Sequence, residues 1–494
     1  MRRSSAAIVA AVFAIFGASS ASASPVAPRP VSTLPAYSGS PFTAQSTKAT
    51  IAPQNPILAT NPNSNIHDDT WMTDAYQRSG PLGRNPLAFS GSLPASLCGT
   101  LTFDSHGRIV SVCPSTLAAP VARVIDPTTL AVLATLVLPN PPDNSGTPAY
   151  QNFTGGGYFF LDSKDRIWSA TKSNELWVIA EKAGGTQLVK QRSYDLGKVL
   201  TAQEHVTSAL PDFGGRIWFV SKQNGKVGVL DPKSGRIRVL RLGEEVENSF
   251  AVDRDAIYIV SDKRMYRFSL GRGGRPHIDW RVTYRNSGIK KPSQVDAGSG
   301  TTPTIMSGGY VAITDNADPM NVVVYRTAKR LARGQRRMVC QVPVFARGAS
   351  ATENSLITAG RSLVVENNYG YQDPFGPQAR ALTEPGFARV DVNRRGTGCR
   401  LVWTNHTERA PTVVPKLSTK TGLIYAYTQD ADPIAGRRWS WVAISFRTGK
   451  MAWKQLAGTG ALYTNNYAGL AIGPKGWLYL GVFGGIVALR DGMA

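Results

Sequence analysis

Cysteine and histidine are scarce in this chain, four and five among 494 residues. No close Cys/His spacing occurs, which excludes an ordinary structural zinc site. The G-x-S-x-G elbow, the H-E-x-x-H pair and the Walker loop are all missing, so the commonest hydrolase and nucleotide-binding signatures are absent too. Long helical windows are lacking: apolar residues alternate instead of recurring every 3.6 residues, which excludes a helical solenoid. Beyond the first residues, no apolar run reaches the roughly 20 residues needed to span a bilayer. Acidic residues are outnumbered 33 to 55 by lysine and arginine, for a net charge of +22. Such a surface is drawn to anionic polymers.

What is present begins with MRRSSAAIVAAVFAIFGASSASAS. Two arginines, an apolar run from Ala6 to Gly17 and the small-residue site Ala21-Ser22-Ala23 predict a signal peptide over residues 1–23 and a secreted or periplasmic protein. Residues 24–65 are rich in Pro, Ser, Thr and Asn and are expected to form a flexible lead, followed by a single domain over 66–494. In an exported protein, four cysteines suggest two disulfides. Cys98 and Cys113 are equidistant from the turn Asp104–Gly107 in CGTLTFDSHGRIVSVC and so should oppose each other across a hairpin. Cys340 and Cys399 are left to pair.

One grammar repeats along the body: a small or polar start, an apolar strand, a turn with Gly or Asp, then a strand with an aromatic or branched core. CGTLTFDSHGRIVSV, GGYFFLDSKDRIWSA, VTSALPDFGGRIWFVS, ENSFAVDRDAIYIVS, PTIMSGGYVAIT, ENSLITAGRSLVVEN, PTVVPKLSTKTGLIYAYT and AGLAIGPKGWLYLGV are eight copies, about 40 to 55 residues apart. Each is followed by a third strand and usually a fourth, and four short strands at this period predict an all-β, eight-bladed β-propeller, with seven blades as the alternative. The eighth copy lacks an outer strand, and PLAFSGSLP, Pro86 to Pro94, is the candidate to supply it from the N-terminal side.

AISFRTGKMAW, Ala443 to Trp453, resembles the A-x-D-x-x-T-G-K-x-x-W repeat of pyrroloquinoline-quinone-type propellers, with Ser445 where that motif has Asp; VLDPKSGRIRVL and RVDVNRRGTGCRLVW are looser versions. The resemblance implies tryptophans packed between blades. It also implies a quinone held beneath a disulfide of adjacent cysteines, but no Cys-Cys pair occurs here and quinone is not an expected cofactor. The Glu and Asn residues at strand starts are similar, in type and placement, to the metal site of secreted lactonase and gluconolactonase propellers.

In a propeller, the loop leading into each innermost strand and the loop between second and third strands share one face. On that face the sequence places Glu247, Asn248, Glu353 and Asn354 at strand starts, and Asp315, Asp318, Asp430 and Asp432 in the echoing loops TDNADP and TQDADP. These oxygens make a candidate calcium site. His205 is the histidine at a strand start on this face, and with Glu353 it is the candidate catalytic base. The opposite face carries PKSGR, LGRGGRPH, TAKRLARGQRR, NRRGTG and FRTGK, a candidate dock for an anionic envelope polymer. Aromatic residues do not interleave with these arginines, so nucleic acid is not an expected partner. The sequence thus points to an exported propeller that binds a small molecule or partner at its acidic face; the alternatives are a metal-dependent hydrolase of lactones or esters and, third, a quinoprotein oxidoreductase.

Overall fold

The computed structural model describes residues 32, 34–93, 96–115, 118–142, 147–379, 381–492. The expected leader, residues 1–23, lies outside them. Eight antiparallel sheets follow one another around a ring, with innermost strands Thr102–Phe103, Phe159–Leu161, Val206–Pro211, Ala251–Val252, Thr304–Met306, Ile357–Ala359, Lys416–Ser418 and Ala471–Ile472. These are the eight repeats, blades 1 to 8. The fourth strand of blade 8 is Leu87–Ser92, paired antiparallel with Gly485–Arg490. Among the described residues no helix is long and apolar enough to cross a membrane.

A local device fixes the inner hairpins of the first three blades. Asp104 accepts the backbone N–H groups of His106 and Arg108, Asp162 those of Lys164 and Arg166, and Asp212 those of Gly214 and Arg216. Each carboxylate thus satisfies donors that a tight turn leaves unpaired. The residue before each arginine turns left-handed, at φ 80° for Gly107 and 83° for Gly215, where glycine carries no Cβ penalty. In blades 2 and 3 the same Asp also accepts the indole N–H of Trp168 or Trp218, so turn chemistry and core packing are joined by one side chain.

Both expected disulfides form. Cys98–Cys113 staples the inner hairpin of blade 1, and Cys340–Cys399 joins the outer strands of blades 5 and 6. Tyr37–Gly39 adds an outer strand to blade 7, and Ala75–Tyr76 adds a parallel inner one, giving that blade six strands.

Residues 34–65, expected as a flexible lead, lie instead against the ring. Ser40, Phe42, Gln45 and Thr47 donate backbone hydrogen bonds to Ala452, Leu82, Thr421 and Thr419, and Leu58 is buried in the core of blades 2 to 5. A segment with no core of its own is ordered here by strand edges and turns that offer unpaired carbonyls.

The chain then fills the channel. The backbone carbonyls of Ser64, Thr70, Trp71, Thr73, Asp74 and Tyr76 accept from Leu161, Val252, Ile305, Thr358, Leu417 and Thr419 in turn, at 2.7–3.0 Å. Those donors sit on or just past the innermost strands of blades 2 and 4 to 7. The segment DDTWMTDAY is therefore an axial plug, and Met72 at its centre is fully buried.

Candidate functional site

Above the plug, on the face where inner strands begin, the channel widens into an enclosed cavity of about 70 Å³. Ile66 and His67 of the plug form its floor; His205, Thr207, Glu247, Asn248, Thr302, Glu353 and Asn354 stand on its wall. Its roof comes from three connections between blades. Gln151 donates to the Gln294 carbonyl at 3.2 Å and accepts from Lys290 at 3.2 Å, Asn466 donates to the Tyr150 carbonyl at 2.9 Å, and Tyr467 donates to the Ser293 carbonyl at 2.6 Å. Phe153 and Tyr467 pack edge to face with centroids 5.5 Å apart.

Glu247 and Glu353 line this cavity, and Asp296, buried behind its wall, acts on Glu353 and feels Glu247. Burial, then the charges of Asp296 and Glu247, pushes the Glu353 carboxyl well above the usual range. Burial and Glu247 push Asp296 up to about 8, although it accepts the Gly298 N–H at 2.7 Å. Glu247 is also raised by burial, while Lys222 opposes the rise through an ion pair of 2.8 Å. The Val295 backbone N–H acts on Glu353, but no side chain among the described residues donates to either of its oxygens. Burial of this kind favours the neutral carboxyl, which can donate a hydrogen bond.

The floor carries a second polar group that sequence reasoning missed. Asp74 accepts from His67 Nδ1 at 3.1 Å, from the Ser355 hydroxyl and from Lys416 Nζ at 2.5 Å. Against burial, Lys416 and then His67 hold the Asp74 carboxyl below its usual range. Ser355 lies 2.8 Å from the same Nδ1, so serine and carboxylate share one ring nitrogen; a hydrolase triad would place them on opposite nitrogens. The other nitrogen, Nε2, is buried without a hydrogen-bond partner among the described residues. The clue in the sequence was DDTWMTD itself, three aspartates beside apolar residues ahead of the first repeat.

The predicted site residues divide. His205, Glu247, Asn248, Glu353 and Asn354 line the cavity together. The echoing loops do not reach it. Asp315 is occupied by Asn321 and Ala317, Asp318 accepts from Gly348, Asp430 pairs with Lys454 at 2.9 Å, and Asp432 accepts from Ile434 and Ala435. Asp315 and Asp432 close their own turns, the ordinary use of Asx residues, while Asp318 ties its loop to that of Gly348 and Asp430 pairs across to Lys454. Asn354 is also engaged, donating to Glu366 and to the Val413 carbonyl. Among the described residues no three His, Cys, Asp or Glu side chains group as a metal site, so the eight oxygen ligands expected for calcium do not fit that ion as a set.

Fold and cavity together define a β-propeller of eight blades whose channel is closed from within by its own N-terminal segment. No family profile matches the chain. An uncharacterized protein of Archaeoglobus fulgidus is 26% identical over 366 residues, 68% of this chain and 70% of its own length. Among solved structures, a quinohemoprotein alcohol dehydrogenase from Pseudomonas putida aligns at TM-score 0.57 and 10% identity, over 91% of this chain and 84% of its own. A europium-containing methanol dehydrogenase aligns at 0.51 and 12%, over 86% and 91%, and Sqt1 of Chaetomium thermophilum at 0.51 and 12%, over 90% and 98%. At such identities the likeness is one of fold, and these folds serve unrelated activities.

Proposed function

We propose that the protein is an exported binding protein that takes a small ligand into the cavity above its plug. The observation that carries this reading is Glu353: a carboxyl only 8% exposed, on the wall of the cavity, acted on by the Val295 backbone N–H but with no side-chain donor among the described residues. Buried polar groups are nearly always hydrogen-bonded, and an exception inside a cavity is a place for a ligand atom. Export is supported by the leader-like residues 1–23 and by the two disulfides, which persist in oxidising compartments.

Thermal unfolding in the presence of a library of small polar compounds tests the reading, because a native-state ligand stabilises by mass action. Compounds that raise the wild-type melting temperature are expected to lose that effect in Glu353→Gln. Equal stabilisation of both proteins would place the binding elsewhere.

A metal-dependent hydrolase finds less support, since half of its ligand set, Asp315, Asp318, Asp430 and Asp432, is engaged outside the cavity that holds Glu247, Asn248, Glu353 and Asn354. Added calcium is therefore expected to leave the melting temperature unchanged. The adjacent-cysteine cover implied by the quinoprotein likeness is not built, as the disulfides join residues 15 and 59 apart. On the opposite face, Arg330, Arg333 and Arg336 stand exposed in one turn. An anionic envelope polymer is the partner suited to them, by an attraction that added salt weakens.

A further inference from the structure

If the cavity is a ligand site, as proposed above, its charge decides what it holds. Glu247, Asp296 and Glu353 come from the connections before blades 4, 5 and 6, and Glu353 feels both of the others. Lys222, from blade 3, is the cation bound among them, and its ion pair is with Glu247. Lys290 also acts on Glu247, but it is exposed at the roof and donates to Gln151. His205 faces the same space from the wall. His67 faces it from the floor, its Nδ1 committed to Asp74 and Ser355. Lys222 also acts on Glu353, but its ion pair is with Glu247, and among the described residues neither Asp296 nor Glu353 has an ion pair.

Aromatic rings complete the lining. Phe153, Tyr158 and Tyr467 border the cavity, and the Tyr158 hydroxyl is turned to the Asn248 side chain at 3.2 Å. Carboxyls beside aromatic faces are the setting that recognises an organic ammonium, through ion pairing on one side and the ring quadrupole on the other. A hard metal ion asks for six to eight convergent oxygens, which this cavity does not bring together. An anion would meet the carboxyls before any cation free to receive it.

We propose that the cavity binds a small organic cation, an ammonium of a few carbons, with its charge against Glu353, backed by Asp296 behind the wall, and its carbons against Phe153, Tyr158 and Tyr467. Binding draws Glu353 into its ionised form and releases a proton. Burial and then the Asp296 and Glu247 charges raise Glu353 in the free protein, against the Val295 N–H and Lys222, so affinity rises with pH until that carboxyl ionises without the ligand. One proton released corresponds to roughly tenfold in affinity per pH unit.

Calorimetric titration of the full chain with methylammonium, butylammonium and tetramethylammonium, beside butanol and butyrate, provides the test. Expected are binding of the ammonium probes alone, tightening as pH rises, and a heat that changes between buffers of different ionisation enthalpy. Glu353→Gln with Asp296→Asn keeps the neutral shape of both groups, so the variant should fold, and it should bind the ammonium probes at least tenfold more weakly. Binding of butanol or butyrate as tight as that of butylammonium would overturn the cation assignment while leaving the ligand site in place. Unaltered ammonium affinity in the double variant would put the site elsewhere. Binding of none of the probes, with other compounds still stabilising the wild type and not Glu353→Gln, would likewise reject the cation; if nothing stabilises the wild type, the ligand site itself falls.

Discussion

Lys416 and Asp74, 342 residues apart in the chain, meet inside the channel with Nζ 2.5 Å from the carboxylate, and neither side chain is more than 1% exposed. Lys416 also lies 3.3 Å from Asp68 and donates to the Ile66 carbonyl. It is the group that holds the plug to blade 7 by charge.

Replacing Lys416 by Met should therefore be severe. It leaves Asp74 and Asp68 buried without their cation, and the loss expected from breaking such a pair is ~3–5 kcal/mol. Adding Asp74→Asn should recover part of it. Urea denaturation checks both, and a Lys416→Met protein as stable as the wild type would show that the ion pair does not hold the plug.

Stability should fall as pH rises above the acid range. Burial pushes Glu366 up to about 8 and Asp69 to about 7, whereas in the unfolded chain such groups ionise near 4. Below the unfolded values both states are protonated, and the stabilisation of the neutral carboxyls is fully present. Between those values and the folded ones only the native state keeps its protons, so each group subtracts ~1.4 kcal/mol per pH unit until its folded value is passed. Denaturation across this range should show the decline, and Glu366→Gln should flatten it. An identical slope in that variant would rule out Glu366 as a source of the decline.

The ends of the ring meet at Asp491, whose carboxylate accepts the backbone N–H groups of Leu82, Gly83 and Arg84 at 2.8, 2.9 and 3.0 Å. Asp491→Ala removes three charge-assisted bonds and should cost about 1–3 kcal/mol. Faster hydrogen exchange confined to Leu87–Ser92 and Gly485–Arg490 is the expected signature. Uniform exchange around the ring would mean that the clasp is not local.

Cys340–Cys399 closes a chain separation of 59 residues and Cys98–Cys113 one of 15. Chain-entropy reasoning gives roughly 4 kcal/mol for the first and 3 for the second. Paired serine variants should thus rank in that order by guanidinium midpoint; a reversed order would point to a native-state role for the shorter staple.

Most of the ring was legible because each repeat announces its own hairpin: Asp104, Asp162 and Asp212 stand at fixed distances from the arginines and strands they organise. The strand-start residues His205, Glu247 and Glu353 were legible for the same reason, since topology alone sends strand starts to the channel mouth. That Asp315, Asp318, Asp430 and Asp432 lie apart from the cavity was not legible, because an aspartate that holds a turn or a neighbouring loop has the same neighbours in sequence as one that meets a ligand. Lys416 and His67 were not legible at all. Lys416 meets Asp68 and Asp74 of the plug and His67 meets Asp74 and Ser355 only once the plug is seated, and a lysine within PTVVPKLSTK reads as the outward face of a strand. The ordering of residues 34–65 was hidden likewise, because their backbone partners belong to the ring and leave no pattern in the segment itself.

An open propeller is a tube, through which water and small solutes can pass from one side to the other. With Ser64 to Tyr76 bonded to successive innermost strands, this one is a cup. A small molecule held in the cavity as proposed would exchange on the roof side, past the ties of Gln151, Lys290, Asn466 and Tyr467, and loosening those ties would speed its uptake and escape together.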